Sequence, residues 1–111
     1  MGQLVNGIWK EGSVLTSDKN GNYNRTNSLF RNTISNESKF FPESNRYHLY
    51  VSYACPWAHR VLIMRELKKL TKHISIDVVH PDMLNKGWSF CKNFMGSTGD
   101  RLNKKKYLYE I

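Results

Sequence analysis

The chain has 111 residues and a mass of 13.0 kDa, which leaves room for one small domain. Apolar residues make up 40% of it and charged residues 23%, a composition that excludes an intrinsically disordered chain, and two cysteines exclude a disulfide-rich scaffold. The net charge of +8 comes mostly from scattered lysines and arginines, so it does not by itself indicate a nucleic-acid-binding surface.

The chain carries no pattern typical of export or membrane insertion. Its first ten residues lack a charged start followed by an apolar core, and no apolar run approaches the roughly 20 residues of a membrane helix. Four histidines, at positions 48, 59, 73 and 80, have no metal-binding spacing, so we expect no metal. We expect a cytoplasmic protein without a specific nucleic-acid or membrane partner.

Residues 1–45 are polar and rich in turn-forming asparagine, serine and glycine, with isolated aromatic and aliphatic residues between them. This pattern predicts an irregular N-terminal arm laid over a core, because linkers rarely carry so many aromatic residues. Residues 46–111 hold the denser apolar sequence and form the second predicted unit, a partial domain.

The partial domain begins with an alternating segment, Tyr47–Ser52, that predicts a strand. A helical pattern follows from about Trp57 to Leu70, and we expect Val61, Leu62, Leu67 and Leu70 to point inward. The β-branched residues of 74–79 predict a second strand. A strand, a helix and a strand in about 33 residues form a βαβ unit, whose strands should run parallel. The composition of residues 82–100 predicts a loop, and residues 102–111 could begin another element.

Cys55 is the candidate catalytic residue, because it lies between the first strand and the helix. Free backbone N–H groups and the positive end of the dipole at a helix start stabilise an anion, and the thiolate is the nucleophilic form of cysteine. Pro56 suits the first helical position, since its missing N–H would have had no partner there. Most lone cysteines are buried structural residues, but this context favours a reactive one.

The second thiol of a redox pair is absent from this turn, because Ala58 stands where a Cys-x-x-Cys motif would have its second cysteine. Cys55 would therefore need an external thiol, such as glutathione, to resolve a mixed disulfide. Cys91 follows Phe90 in the predicted loop, and we interpret it as a passive thiol.

Residues 46–60, with Cys55-Pro56-Trp57 near their end, resemble the signature of the glutathionyl-hydroquinone reductases, the xi-class, omega-like glutathione transferases. The resemblance extends over nearly the whole chain. It includes Gly7-Ile8-Trp9, Phe30-Arg31-Asn32, Asn85-Lys86-Gly87-Trp88-Ser89-Phe90, Gly96-Ser97-Thr98-Gly99-Asp100 and Tyr107-Leu108-Tyr109-Glu110.

The resemblance implies an α/β, thioredoxin-like N-terminal domain followed by a helical domain. It implies reduction of glutathionyl-hydroquinones with glutathione as co-substrate, through a mixed disulfide between Cys55 and glutathione. Trp88 matches the family's tryptophan beside the glutathione, although a half-buried loop anchor explains it equally well. Pro56 and Trp57, next to the thiol, are the other candidate glutathione-binding residues. Full-length relatives are expected to dimerise.

The family's fold should continue with a strand entered through a cis-proline, a further strand and helix, and the helical domain. None of these is found in the sequence, and Pro81, after the second strand, is not that proline. We therefore expect an incomplete thioredoxin-like fold, a truncated chain that is inactive alone. The alternatives are a stand-alone monothiol glutaredoxin-like module and a small basic nucleic-acid-binding protein.

Overall fold

The computed structural model of the chain describes residues 1–12, 16–24 and 27–111. The strands are β1 (Gly2–Val5), β2 (Ile8–Glu11), β3 (Thr16–Ser17), β4 (Tyr23–Asn24), β5 (Tyr47–Val51) and β6 (Ile74–Val78), and the helix is α1 (Pro56–Leu67). Two single-turn 3₁₀ helices lie at Leu70–Lys72 and Leu108–Glu110.

The predicted βαβ unit is confirmed as the framework of the partial domain. Strands β5 and β6 pair in parallel, in a register that runs from Tyr47 opposite Ile74 to Val51 opposite Val78. The ladder continues one step further, because the N–H of Val79 donates to the carbonyl of Val51 over 2.9 Å. The fold is therefore of the α/β kind, with α1 as the connection between the parallel strands.

Helix α1 ends three residues earlier than the sequence predicts. Its C-cap is Lys68, and Lys69 has the left-handed φ of 55° that a continuing α-helix does not allow. A separate 3₁₀ turn then covers Leu70–Lys72. Periodic apolar residues thus extend across the break, which explains why the pattern alone overestimates the length of the helix.

The side chains of α1 are less covered than their spacing suggests. None of its residues is buried; Val61 is 45% exposed and Leu67 is 70% exposed, although we expected both to point inward. Leu62 is half-buried, and Arg65 turns back over the sheet, where its Nε donates to the carbonyl of Ile74 over 2.7 Å. The described part of the chain offers this helix too little surface to bury both of its apolar sides.

The core lies where the parallel strands end. Val51, Val78, Val79 and Phe90 are its buried apolar side chains, and Phe90 comes from the loop that follows β6. Tyr50 packs its ring against that of Phe90, with centroids 5.4 Å apart in an edge-to-face arrangement. The loop after β6 thus contributes to the core on the side of the sheet that carries Tyr50.

The N-terminal arm contains short antiparallel pairs that the sequence analysis did not predict. Strands β1 and β2 form a hairpin, and β3 pairs with β4. The turn between β1 and β2 is Asn6-Gly7, with φ of 50° and 77°, and Asn-Gly is a strong signal for a two-residue hairpin turn. Trp9 anchors the hairpin, since its Nε1 donates to the carbonyl of Asn85 over 3.0 Å.

Candidate functional site

Cys55 occupies the turn between β5 and α1, as the sequence predicts. It is the N-cap of α1, with an extended backbone (φ −96°, ψ 114°), and Pro56 is the first helical residue. Its N–H donates to the carbonyl of Ser52 and its own carbonyl accepts from the N–H of His59, both over 3.1 Å. These bonds and the fixed φ of Pro56 hold the Cys55 backbone firmly at the helix start.

The thiol of Cys55 is half-buried and makes no side-chain capping bond. The first turn of α1 contains no acidic residue that would repel a thiolate. One turn further, the guanidinium of Arg60 lies 5.1 Å from the ring centroid of Trp57, a cation–π distance. Cys55 therefore faces a helix start with positive character and an aromatic neighbour.

The turn is supported from below by Ser52 and from the side by the loop 96–101. Ser52 is 4% exposed, and its Oγ accepts from the N–H of Ala54 over 3.2 Å. Gly96, with φ of 98°, lies beside the ring of Tyr53, since a Cβ added at Gly96 would be in ordinary van der Waals contact with a ring carbon, at 3.5 Å. The loop 96–101 therefore lies next to Tyr53, two residues before Cys55.

A buried carboxylate, Asp77 of β6, fixes that loop. It is fully buried, and it accepts bonds from the N–H of Arg101 over 2.7 Å, from the hydroxyl of Thr98 over 3.1 Å and from the Nε of Arg101. Burial raises the pKa of Asp77, but these bonds outweigh it and hold the pKa below its ordinary 3.8. We refer to Asp77, Thr98 and Arg101 as the loop clasp.

His48 joins the clasp from the neighbouring strand. Its Nε2 lies 3.3 Å from the Oδ2 of Asp77, and its Nδ1 lies 2.7 Å from the Oγ of Ser75. The Nε2 atom is buried and forms no hydrogen bond with the described residues, so it contacts the carboxylate without being bonded to it. This arrangement links β5 and β6 through side chains, in addition to their backbone ladder.

A second carboxylate, Asp100, organises the segment after the clasp. It accepts from the hydroxyl of Tyr50 over 3.0 Å and from the N–H groups of Leu102, Asn103 and Lys105 over 2.9 to 3.1 Å. Burial raises the pKa of Asp100, yet these donors lower it below 3.8 overall. Burial and the neighbouring Asp100 raise the pKa of Tyr50.

Sequence reasoning missed both carboxylates. The signal was present, since Asp77 interrupts a run of β-branched residues in a predicted buried strand, and a charge there needs partners. Asp100 lies in the Gly-Ser-Thr-Gly-Asp segment, which the resemblance singled out without assigning it a role.

The other predicted site residues lie after β6. Trp88 is half-buried in a segment whose backbone is paired with the C-terminal part of the chain, since its carbonyl accepts from the N–H of Leu108 over 2.9 Å. Cys91 is exposed, and its thiol donates to the Oδ1 of Asn93 over 3.1 Å. Pro56 and Trp57 share one turn with Cys55, whereas Trp88 belongs to a separate loop.

Residues 1–12, 16–24 and 27–111 contain no cluster of three or more acidic, histidine or cysteine side chains that could hold a metal ion. Within the same described ranges, no helix is long and apolar enough to cross a membrane.

Relatives of the chain are found among both curated proteins and solved structures, although no family model matches. The chain is 45% identical over 119 residues to the glutathionyl-hydroquinone reductase YqjG of Escherichia coli and 40% identical over 111 residues to the glutathionyl-hydroquinone reductase PcpF of Sphingobium chlorophenolicum. Both alignments cover 100% of the chain but only 36% and 34% of these relatives. The chain thus spans about a third of their length.

Solved structures agree in fold. A Xi-class glutathione transferase from Natrialba magadii superimposes on 99% of the chain, with a TM-score of 0.80 and 40% identity, and 32% of that protein is covered. The glutathione-bound structure of YqjG matches 64% of the chain, with a TM-score of 0.63 and 58% identity, and 23% of that protein is covered.

The parallel βαβ unit with a cysteine at the start of its helix, together with these matches, defines a thioredoxin-like domain of the glutathione transferase class. Within this class the chain belongs to the glutathionyl-hydroquinone reductase family, the Xi-class glutathione transferases. The expected family and fold are confirmed.

Proposed function

We propose that Cys55 is the nucleophile of a glutathione-dependent reductase that acts on glutathionyl-hydroquinones. The observation that carries the proposal is the position of Cys55, half-buried at the N-cap of α1 and followed by Pro56, in a chain whose curated relatives bear that activity in their names. A thiolate at such a helix start is stabilised by the backbone N–H groups of the first turn.

The proposed reaction has two steps, a thiolate attack on a thioether sulfur and a thiol–disulfide exchange. The Cys55 thiolate attacks the sulfur of the glutathionyl group, a sulfur–sulfur bond forms, and the bond between that sulfur and the ring carbon breaks. The ring carbon takes up a proton and leaves as the hydroquinone. A second glutathione, as its thiolate, then attacks the sulfur of the bound glutathione, which releases glutathione disulfide and restores the Cys55 thiolate.

Pro56, Trp57 and Trp88 are the proposed glutathione-binding residues. Pro56 and Trp57 directly follow Cys55 in the first turn of α1, and the guanidinium of Arg60 lies over the Trp57 ring. Support for Trp88 comes from its half-buried position and from the presence of glutathione in the related YqjG structure. We also propose a cytoplasmic location and a dimer for the whole protein, in keeping with two free cysteines and with the family resemblance.

The formation of the mixed disulfide tests the nucleophile. The chain is treated with a glutathione mixed disulfide of a small aromatic thiol, and adducts are mapped by peptide mass spectrometry. We expect glutathione on Cys55, loss of that adduct in Cys55→Ser, and its retention in Cys91→Ser, the matched control. Equal labelling of both cysteines in the folded chain would refute the assignment.

We further propose that glutathione affinity and turnover need groups outside these 111 residues. The chain spans about a third of the length of its curated relatives. A charged tripeptide with few partners gains too little to offset its lost freedom. Thiol-dependent release of hydroquinone by the 111-residue polypeptide should be stoichiometric or undetectable, and robust multiple turnover would overturn this point.

A further inference from the structure

A cavity lined by residues after β6 is separate from the turn of Cys55. It has a volume of about 1090 Å³ and lies between the loop that follows β6 and the segment 104–107. Neither Cys55 nor Trp88 lines it. Its volume is slightly above the range of about 300 to 1,000 Å³ that is typical of small-molecule sites.

The walls of this cavity are joined by backbone hydrogen bonds. The N–H of Phe90 donates to the carbonyl of Lys106 over 2.9 Å, and Ser89 and Tyr107 form an isolated antiparallel bridge. On the other side, the N–H of His80 donates to the carbonyl of Ser89 over 2.8 Å. Because its two walls are bonded to each other, the cavity is preformed.

We call the apolar and aromatic residues that line the cavity its floor, and the lysines that line it its rim. Phe90, which is 6% exposed, and the half-buried Tyr107 both line it, and Leu84 contributes an exposed aliphatic side chain. Such a floor favours a ligand with a flat apolar body, since aromatic rings stack or pack edge-to-face on one another.

The rim of the cavity is cationic. Lys86 and the run Lys104–Lys106 line it, whereas Asp82 is the one carboxylate among the described lining residues. Lys86 lies 3.8 Å from Glu11 and is thereby partly neutralised. In the described chain no ammonium of Lys104–Lys106 lies within 4.0 Å of a carboxylate.

Nearby carboxylates do not remove this charge. Asp82 is 69% exposed and lies 3.9 Å from the Nδ1 of His80. The Oε2 of Glu110 accepts from the backbone N–H groups of Lys106 and Tyr107, both over 2.9 Å. Those bonds, followed by the charges of Lys105 and Lys106, lower the pKa of Glu110, so its charge offsets part of the field. The lining as a whole keeps an excess of positive charge.

From the preformed cavity, its aromatic floor and its lysine rim, we propose that this cavity is a second binding site, for a small amphipathic anion with an aromatic body and a phosphate, sulfonate or carboxylate group. It does not depend on the proposed role of Cys55. A charged group on such a ligand gains from several ammonium groups at once, and the cavity walls shield it in part from solvent.

Cys91 provides a reporter for this site, because it lines the cavity, while Cys55 does not. The rate of alkylation by iodoacetate, an anion, is divided by the rate with neutral iodoacetamide for each cysteine. This ratio cancels differences in thiolate fraction and reports the local potential. We expect the ratio at Cys91 to fall about threefold or more when Lys104, Lys105 and Lys106 are all replaced by glutamine.

The matched control replaces Lys68, Lys69 and Lys72 by glutamine, which removes the same charge near the far end of α1. Its ratio at Cys91 should stay unchanged. A circular dichroism spectrum checks that both variants fold like the parent chain. An equal fall in both variants, or in neither, would show that the lysine rim creates no local field and would overturn the cationic half of the proposal.

Ligand binding is tested with 1-naphthyl phosphate as the probe. It should slow the reaction of Cys91 with iodoacetamide about tenfold at saturation, leave Cys55 unaffected, and lose this effect in the variant of Lys104–Lys106. Equal protection by inorganic phosphate would remove the need for an aromatic floor. Protection by a nucleic acid but not by 1-naphthyl phosphate would assign the lysines to a macromolecular surface, and no protection by any of these probes would overturn the site.

Discussion

The outer edge of β6 and the solvent side of α1 belong to the same βαβ unit, but they are covered in opposite ways. Along the edge, the carbonyls of Ile74, Ile76 and Val78 accept bonds from Arg65, Arg101 and the N–H of Thr98. On the helix, large apolar side chains remain between 46% and 70% exposed: Trp57, Ile63, Met64 and Leu67.

The difference shows what each kind of surface needs. An exposed strand edge presents discrete donors and acceptors, so a short loop with a threonine and an arginine can satisfy it. An apolar helix side gains stability in proportion to the area it buries, and only a further packed element provides such an area.

Replacing Asp77 should produce the largest change, because it removes the centre of the loop clasp. Asp77→Ala leaves the N–H of Arg101 and the hydroxyl of Thr98 without their acceptor, at a cost of about 2 to 4 kcal/mol. Amide hydrogen exchange of the peptide 96–106 should accelerate by roughly a hundredfold. Asp82→Ala, at a carboxylate that is 69% exposed, serves as the control and should leave the exchange nearly unchanged. If the peptide 96–106 still exchanged slowly in Asp77→Ala, the loop clasp would not be what holds this peptide along the outer edge of β6.

The exposed side of α1 should govern the behaviour of the whole 111-residue polypeptide. Because the helix lacks a packed partner among the described residues, we expect a broad or absent urea transition and strong binding of a hydrophobic dye. Unfolding followed by circular dichroism and by dye fluorescence measures both. A sharp cooperative transition of a monomer would show that the uncovered helix does not limit stability.

Polar substitutions on that side should have a small effect on folding. Met64→Gln together with Leu67→Gln should leave the circular dichroism spectrum of the chain nearly unchanged, since the two side chains are 49% and 70% exposed. Dye fluorescence should nevertheless decrease. A large destabilisation would indicate that the two residues already pack against a surface in the folded chain.

The alkylation rates of the two thiols compare the turn before α1, which carries Cys55, with the loop after β6, which carries Cys91. Cys55 should react with iodoacetamide at neutral pH several times faster than Cys91, because only Cys55 lies at the start of an α-helix. Labelling followed by peptide mass mapping gives both rates in one sample, and Cys55→Ser should lose the fast phase. Equal rates would contradict the catalytic interpretation of Cys55.

Acid should loosen the loop before the helix, which is the smallest of these effects. Asp77 and Asp100 have pKa values below 3.8 in the folded chain, so the stability they contribute is complete above that value and is lost as the pH falls through the lower folded values. Exchange in the peptide 96–106, corrected for its intrinsic pH dependence, should rise in that range. In Asp77→Asn, the exchange rate of this peptide should depend less on pH. An unchanged pH dependence in this variant would show that the charge of Asp77 does not stabilise the loop clasp.

Sequence patterns predicted the parts of this fold that depend on local periodicity. The β-branched and alternating segments gave both parallel strands, and Pro56 after Cys55 located the start of α1. The end of α1 was wrong because the left-handed φ of Lys69 leaves no trace in the apolar pattern. The partners of Asp77 lie more than twenty positions away, and no local rule pairs a strand residue with Thr98 or Arg101.

The stack of Trp9 on Tyr109, with ring centroids 4.6 Å apart and planes 17° from parallel, sets an order of events during synthesis. The hairpin β1–β2 is translated first, yet both partners of its anchor come much later in the sequence, Asn85 as hydrogen-bond acceptor and Tyr109 as stacking partner. Ring stacking of this kind contributes about 0.5 to 1.5 kcal/mol beyond the buried area, too little to close so long a loop early. The first element made is therefore among the last to dock, and until then Trp9 is an exposed aromatic group on the nascent chain.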